Sequence, residues 1–212
     1  MKDITVNKFR KRRGIKLQKL IYDISRKLSR DINILDIGGR PDFWENIPLR
    51  NVNNINILNY HEDELARHTK GNTDIFSFSV GDATNLENFS DNSVDLVHSN
   101  SVIEHVGSWS KMAAMANETK RVGNAGWIQT PAWEFPIEPH FRLPLMHWFA
   151  TPVRRRLIPL CAKYRGATID ELREHAERIN LLSQREFQHL YKDCKLEIER
   201  FFAFKKSYVI TW

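Results

Sequence analysis

The residues best suited to chemistry are an acid and a glycine pair that follow a short apolar segment. Residues 32–44 read INILDIGGRPDFW, with Asp36 at the end of the apolar segment and Gly38 and Gly39 directly after it. Glycines at such a point let the backbone approach a ligand closely, and the N–H groups of the turn can bind a nucleotide-like cofactor. The segment therefore predicts a ligand-binding turn at the carboxyl end of a first strand.

The flanking sequence predicts the elements that position this turn. Apolar residues spaced three and four apart predict a helix over residues 15–30. Further strands are predicted at residues 55–59, 75–80, 94–98, 127–130, 196–202 and 207–210, and intervening helices at 42–47, 62–68, 110–121 and 184–191. This alternation favours an α/β fold with a doubly wound, mostly parallel seven-stranded sheet that ends in an antiparallel C-terminal hairpin.

Residues 131–182 do not follow the alternation. The segment is rich in proline, aromatic residues and arginine, and we interpret it as an inserted lid over the ligand edge of the sheet. Within it, the capping box Thr168-Ile169-Asp170-Glu171 starts a predicted helix. The apolar stripe of that helix consists of Ile169, Leu172, Ala176 and Ile179.

Length and composition favour one globular domain spanning residues 1–212, with a basic segment and helix at 1–30. The net charge is +6, and two clusters, 10–13 and 154–156, are interpreted as solvated faces, with polyanion binding as the alternative. The two cysteines lack metal-ligand spacing, and no segment is typical of a signal peptide or a transmembrane helix. These features favour a reduced, cytoplasmic protein without a metal site.

Five ordered segments carry a resemblance to a known family. They are ILDIGG (34–39), VGDATNL (80–86), FSDNSVDLVHSNSVIEHV (89–106), KRVGNAG (120–126) and IQTP (128–131). Together they resemble class I S-adenosylmethionine-dependent methyltransferases of the type 11 group, which implies a Rossmann-like methyltransferase fold and S-adenosyl-L-methionine as cofactor. The Gly-Gly-x-Pro-x-Phe-Trp turn, FPIEPHF (135–141) and the ending KKSYVITW look like a narrower microbial subgroup.

The resemblance implies a donor pocket along the strand ends. Asp36 would hold the first loop and approach the cofactor's ammonium group, while Gly38 and Gly39 would allow close backbone approach. Asn59 stands where the family usually has an acid that binds both ribose hydroxyls, and Glu62 is the alternative. An amide lacks the charge-assisted strength of a carboxylate in that role.

The next two strand ends complete the implied pocket. Asp82 resembles the acid that accepts a hydrogen bond from the adenine amine, with the Ala83 backbone near the ring. Asn100 would lie beneath the sulfonium. Arg40 and Asp42 stand where the family usually has its second and third glycines, which keeps a catalytically lapsed binding module open as an alternative.

Two histidines are candidate general bases. Glu104 and His105 fall in the IEHV segment, which borders the active site in this family, and His140 falls in the inserted lid. A histidine, with an ordinary pKa of about 6.5, can take a proton from an acceptor hydroxyl. Alternatively, His105 braces its loop and His140 makes a structural hydrogen bond.

The sequence constrains the identity of the methyl acceptor least. We expect methyl transfer, at oxygen, to a small-molecule or glycan/lipid-linked acceptor, because residues 141–160 combine aromatic residues with three arginines and resemble a peripheral membrane contact at the inner membrane face. A nucleic-acid methyltransferase is less favoured, since residues 100–103 read NSVI. A nicotinamide-dependent oxidoreductase is disfavoured, since its G-x-G-x-x-G pattern is missing. The sequence leaves the oligomeric state open.

Overall fold

The computed structural model of the chain describes residues 4–45, 47–61, 74–137, 144–161 and 164–212. Its helices are α1 (Ile4–Leu28), α2 (Pro41–Trp44), α3 (Trp109–Val122), α4 (Thr151–Leu157), α5 (Ile169–Arg178) and α6 (Gln184–Leu190). Its strands are β1 (Ile32–Ile37), β2 (Val52–Asn59), β3 (Phe76–Val80), β4 (Leu96–Asn100), β5 (Gly126–Pro131), β6 (Lys195–Phe201) and β7 (Phe204–Thr211). The predicted helix at 62–68, together with Glu62 and His140, lies outside the described residues.

The seven strands form one sheet in the order β3-β2-β1-β4-β5-β7-β6. Strands β1 to β5 are parallel, and β7 runs antiparallel to both β5 and β6. This confirms the predicted mostly parallel sheet with its C-terminal hairpin. The strand order reverses between β1 and β4, and in such sheets ligands bind at the carboxyl ends of the strands beside that point.

Helices cover both faces of the sheet. On one face, α1 and α2 bury Leu17, Ile21 and Trp44 against apolar residues of β1, β2, β4, β5 and β7. On the other face, α3 and α6 bury Met115 and Phe187 in the larger core. A third cluster is formed within the inserted segment by residues 146–176. The two-faced core confirms the doubly wound interpretation and leaves the carboxyl edge for a ligand.

Helix α1 is longer than predicted. It begins at Ile4 rather than near residue 15, because Phe9 is buried and its ring lies 6.3 Å from the Phe201 ring at the end of β6. One aromatic residue within a basic segment gives too weak a periodic signal to predict these first turns of the helix.

Strand β4 is displaced by two residues from its predicted position. It covers Leu96–Asn100 instead of 94–98, since Ser99 and Asn100 pair with β5 while Val94 makes only an isolated bridge to Gly123. The capping box before α5 is confirmed. Ile169 was wrongly placed on its apolar stripe, because this first residue of the helix is 83% exposed.

Candidate functional site

The turn after β1 is built from two closely packed glycines. Gly38 has a φ of +65°, and a Cβ added there would lie 2.5 Å from a methyl carbon of Val102. A Cβ added to Gly39 would overlap the carboxylate of Asp36. The turn therefore accepts only glycine at both positions, because Val102 and Asp36 pack directly against its backbone.

The Asp36 carboxylate ties three elements together beneath this turn. Its Oδ2 accepts a hydrogen bond from Trp44 Nε1 at 2.7 Å, and its Oδ1 lies 2.6 Å from His98 Nδ1. Asp36 is fully buried and the His98 side chain is 1% exposed. Both carboxylate oxygens are thus engaged within the protein, and Asp36 links β1 to β4 and α2.

Sequence reasoning missed both partners of Asp36. Trp44 stands in the quoted turn motif, but its indole N–H gave no signal of where it would donate. His98 stood inside a predicted strand, and only the even spacing of residues 96, 98 and 100 along β4 places it on the same sheet face as Asp36.

The end of β2 adjoins the glycine turn. Asn59 is 5% exposed and its Nδ2 donates to the Gly39 carbonyl at 3.2 Å, while its Oδ1 has no hydrogen-bond partner in the described part of the chain. Tyr60 and Val80, at the ends of β2 and β3, are 64% and 46% exposed. Sequence reasoning did not single out either of these exposed side chains.

Asp82 has one oxygen bound and one oxygen available. Its Oδ1 accepts from both the backbone N and the Oγ1 of Thr84, each at 2.8 Å. Its Oδ2 has no hydrogen-bond partner among the described residues. Ala83 beside it is buried in the larger core. The Thr84 contacts fix the carboxylate through Oδ1.

At the end of β4, Asn100 contacts helix α1. Its Oδ1 accepts a hydrogen bond from Arg13 Nη1 at 3.0 Å. Arg13 was assigned to a solvated charge run, and that assignment is wrong, because its side chain is only 16% exposed. The contact places a cation beside the residue that the family resemblance puts under the sulfonium.

The two catalytic candidates after β4 differ in burial. Glu104 is fully buried, where its Oε2 accepts from Thr130 Oγ1 at 3.0 Å and its carbonyl accepts from the Asn180 N–H. His105 is half-buried and ends a single 3-10 turn, Ile103–His105. Val102, which precedes this turn, lies against Gly38, so the turn starts at the carboxyl edge of the sheet.

The described residues contain no group of three or more histidine, cysteine, aspartate or glutamate side chains that could hold a metal ion. Within the same ranges, no helix is long and apolar enough to cross a membrane. Cys161 and Cys194 do not form a disulfide bond.

Comparisons with known proteins agree with this geometry. A family model described as a methyltransferase domain matches residues 35–126. The fold is similar to the methyltransferase domain of a bacterial Hen1 protein, at 11% identity over 95% of this chain and 96% of that one, with a TM-score of 0.58. A search of curated proteins found no significant match.

Two further solved structures share the fold. One is magnesium protoporphyrin IX methyltransferase from Synechocystis PCC 6803, at 12% identity over 93% of this chain and 83% of that one, with a TM-score of 0.52. The other is an S-adenosylmethionine-dependent methyltransferase from Methanosarcina mazei, at 16% identity over 86% and 92%, with a TM-score of 0.50.

The sheet order is that of a doubly wound α/β protein, and proteins with such sheets bind ligands at the carboxyl ends of the strands. Residues 35–126 therefore resemble a methyltransferase domain, and the chain shares the fold of a solved S-adenosylmethionine-dependent methyltransferase.

Proposed function

We propose that this enzyme methylates an oxygen atom of a small-molecule, glycan or lipid-linked acceptor, with its donor pocket at the ends of β1 to β4. S-adenosylmethionine, when bound, supplies a methyl group bonded to a sulfonium sulfur. The thioether that departs on methyl transfer is a good leaving group. The protein therefore needs to align donor and acceptor, exclude water and remove one proton. The observation that carries the proposal is the Asp82 carboxylate, which Thr84 holds through Oδ1 and whose Oδ2 has no hydrogen-bond partner among the described residues.

The chain's own residues fit the donor in three places. The Gly38–Gly39 turn carries no side chains of its own that could block a ligand, and the Asn59 Oδ1 is available to accept from a ribose hydroxyl. Asp82 Oδ2 accepts from an exocyclic amine. Asp36, whose oxygens are both engaged by protein groups, acts by holding the turn in place. Arg40 is exposed on the turn and pairs with Asp42 at 3.1 Å, so its side chain is directed along the loop surface.

A matched substitution tests the donor pocket without disturbing the turn. In Asp82→Asn, the amide oxygen still accepts from Thr84, but an NH2 group replaces the accepting Oδ2. We expect about tenfold weaker binding of S-adenosylhomocysteine by calorimetry, since a hydrogen bond to a charged acceptor is worth about 1.5 kcal/mol or more. The inosine analogue, which carries a carbonyl in place of the amine, should lose no affinity. Equal losses for both ligands would contradict the proposed adenine contact.

His105 is the proposed general base, because a neutral hydroxyl is a poor nucleophile until its proton is taken. The 3-10 turn that carries it starts beside the glycine turn. His140 remains the second candidate from the sequence. The test uses radiolabelled methyl transfer into fractionated metabolite and lipid extracts. His105→Gln should lower kcat about a hundredfold at unchanged S-adenosylhomocysteine affinity, whereas an unchanged kcat would leave the role to His140, tested by His140→Gln.

Contact with a membrane surface is a second, separate proposal. Trp133 and Trp148 are 41% and 43% exposed, with ring centroids 5.9 Å apart, and the Trp133 carbonyl accepts from Trp148 Nε1. Phe149 is 44% exposed beside them, shortly before the arginines at 154–156. Exposed tryptophans next to arginines are typical of surfaces that bind anionic lipid.

Charge reversal tests this contact. Changing Arg154, Arg155 and Arg156 to Glu should abolish sedimentation with anionic liposomes. The charge-matched control changes the exposed Arg185, Lys192 and Lys195 to Glu and should leave most binding intact. Equal binding of the wild type and the first variant would overturn the membrane proposal without affecting the donor pocket.

A further inference from the structure

The N-terminal half of α1 crosses the carboxyl edge of the sheet. Strand β6 runs parallel to β5, because both are antiparallel to β7, and it therefore ends at the same edge as the parallel strands. Phe9 packs on Phe201 at that end, and Arg13 reaches Asn100 at the end of β4. Helix α1 thus brings a guanidinium to the edge where methyl transfer takes place.

Most N–H donors of the Arg13 guanidinium have no hydrogen-bond partner among the described residues. Arginine has five N–H donors, and Nη1 of Arg13 makes one hydrogen bond, to Asn100. The Nε atom is buried without a hydrogen-bond partner, and Glu199 Oε1 lies 3.6 Å from it, beyond hydrogen-bond distance. Within the described ranges, Nη2 has no partner either. A guanidinium that served only to attach α1 to the sheet would be expected to use more of its donors.

The charge around Arg13 is incompletely balanced. Glu199 is its one paired carboxylate in the described part of the chain, and that carboxylate also accepts a hydrogen bond from Ser207. Burial lowers the pKa of Arg13, Glu199 opposes this effect, and the nearby Arg10 adds to it. Lys206 lies over the Phe9 ring at the same edge, 3.8 Å from the ring centroid. Arg10 and Lys206 therefore add positive charge near the largely buried Arg13 at this edge.

We propose that Arg13 binds an anionic oxygen group, a carboxylate or a phosphate, on the methyl acceptor. Nη2 and the second N–H of Nη1 lie on the same end of the planar guanidinium and match two oxygens of such a group. Asn100 fixes the orientation of Arg13. The inference rests on the proposed function, because that function places the methyl donor at the ends of β1 to β4, where Asn100 lies, and it narrows the acceptor to an acid.

The test observes Arg13 directly. The Nε–Hε resonance of Arg13 in a nitrogen–proton correlation spectrum is assigned by its loss in Arg13→Lys. Sodium phosphate and sodium acetate are then titrated into the full-length protein, with and without saturating S-adenosylhomocysteine, and sodium chloride serves as the ionic-strength control. We expect a saturable shift with a dissociation constant of about 1–10 mM for at least one anion, as a few charge-assisted hydrogen bonds would give. The stronger anion distinguishes phosphate from carboxylate.

The controls separate this inference from the donor pocket. Arg12→Lys, at the neighbouring exposed position, should keep the anion-dependent shift of Arg13. A shift no larger than that with chloride would overturn the inference even if S-adenosylhomocysteine binds. So would equal phosphate affinity in Arg13→Lys, measured by calorimetry. Failure of S-adenosylhomocysteine to bind, with the Arg13 shift present, would instead count against the proposed function.

Discussion

Replacing Asp36 by alanine should destabilise the fold rather than only weaken cofactor binding. The substitution removes the acceptor of the Trp44 indole N–H and of His98 Nδ1, both in a site without solvent access. A buried donor left unsatisfied costs about 1–3 kcal/mol, so the two together cost about 2–6 kcal/mol. Domains are stable by only about 5–15 kcal/mol, so this is a large part of the total free energy of unfolding.

Asp36→Asn is the matched variant. Its amide oxygen can still accept from Trp44, while its NH2 faces His98. Because the Nε2 atom of His98 has no hydrogen-bond partner among the described residues, the imidazole can move its proton there and accept at Nδ1. We therefore expect Asp36→Asn to cost about 1–2 kcal/mol, less than the alanine variant.

Urea unfolding followed by tryptophan fluorescence and far-ultraviolet circular dichroism measures both variants. The midpoint should fall in the order wild type, Asp36→Asn, Asp36→Ala at a constant m-value. A loss below about 1 kcal/mol in Asp36→Ala, or equal losses in the two variants, would refute the assigned hydrogen bonds. The order also decides which variant suits binding studies, since a lost affinity in Asp36→Ala would be confounded by unfolding.

Two further predictions concern the same sheet. Gly39→Ala should displace the Asp36 carboxylate and lower the free energy of unfolding in urea by about 2–4 kcal/mol. The control Gly166→Ala, at a φ of +85° in open space, should lower it by only about 1 kcal/mol. Equal losses in the two variants would contradict the close packing at Gly39. Burial opposes ionisation of Asp95, but hydrogen bonds from Arg30 and the Asn33 N–H lower its pKa overall. The contribution of Asp95 to stability is therefore present above the unfolded pKa of about 3.9 and is lost as the pH falls below that value. Asp95→Asn should make the urea midpoint fall less steeply with decreasing pH in the acidic range. An unchanged pH dependence would contradict this assignment.

The fold was largely predictable because its signals are local. The apolar strand and glycine pair at residues 32–39, the alternation that follows and the capping boxes at Thr168 and Ser183 each depend on neighbouring residues. Pairing, strand order and the two-faced core then follow from the general behaviour of α/β chains.

The interior of the site was less predictable because it depends on contacts distant in sequence. Asp36 and His98 are 62 positions apart, and Arg13 and Asn100 are 87 positions apart. Charge runs are usually solvated, so no feature of the sequence separates Arg13 from the exposed Arg12. Only the packing of Phe9 on β6, which carries α1 across the sheet edge, turns one arginine of the run inward.

The most direct test of the proposed donor pocket is calorimetric titration of the wild-type protein with S-adenosylhomocysteine. The available Asp82 Oδ2 and Asn59 Oδ1 predict saturable, one-to-one binding with a micromolar dissociation constant. Heat that does not saturate at millimolar ligand would contradict the donor pocket and favour a binding module that has lost its cofactor.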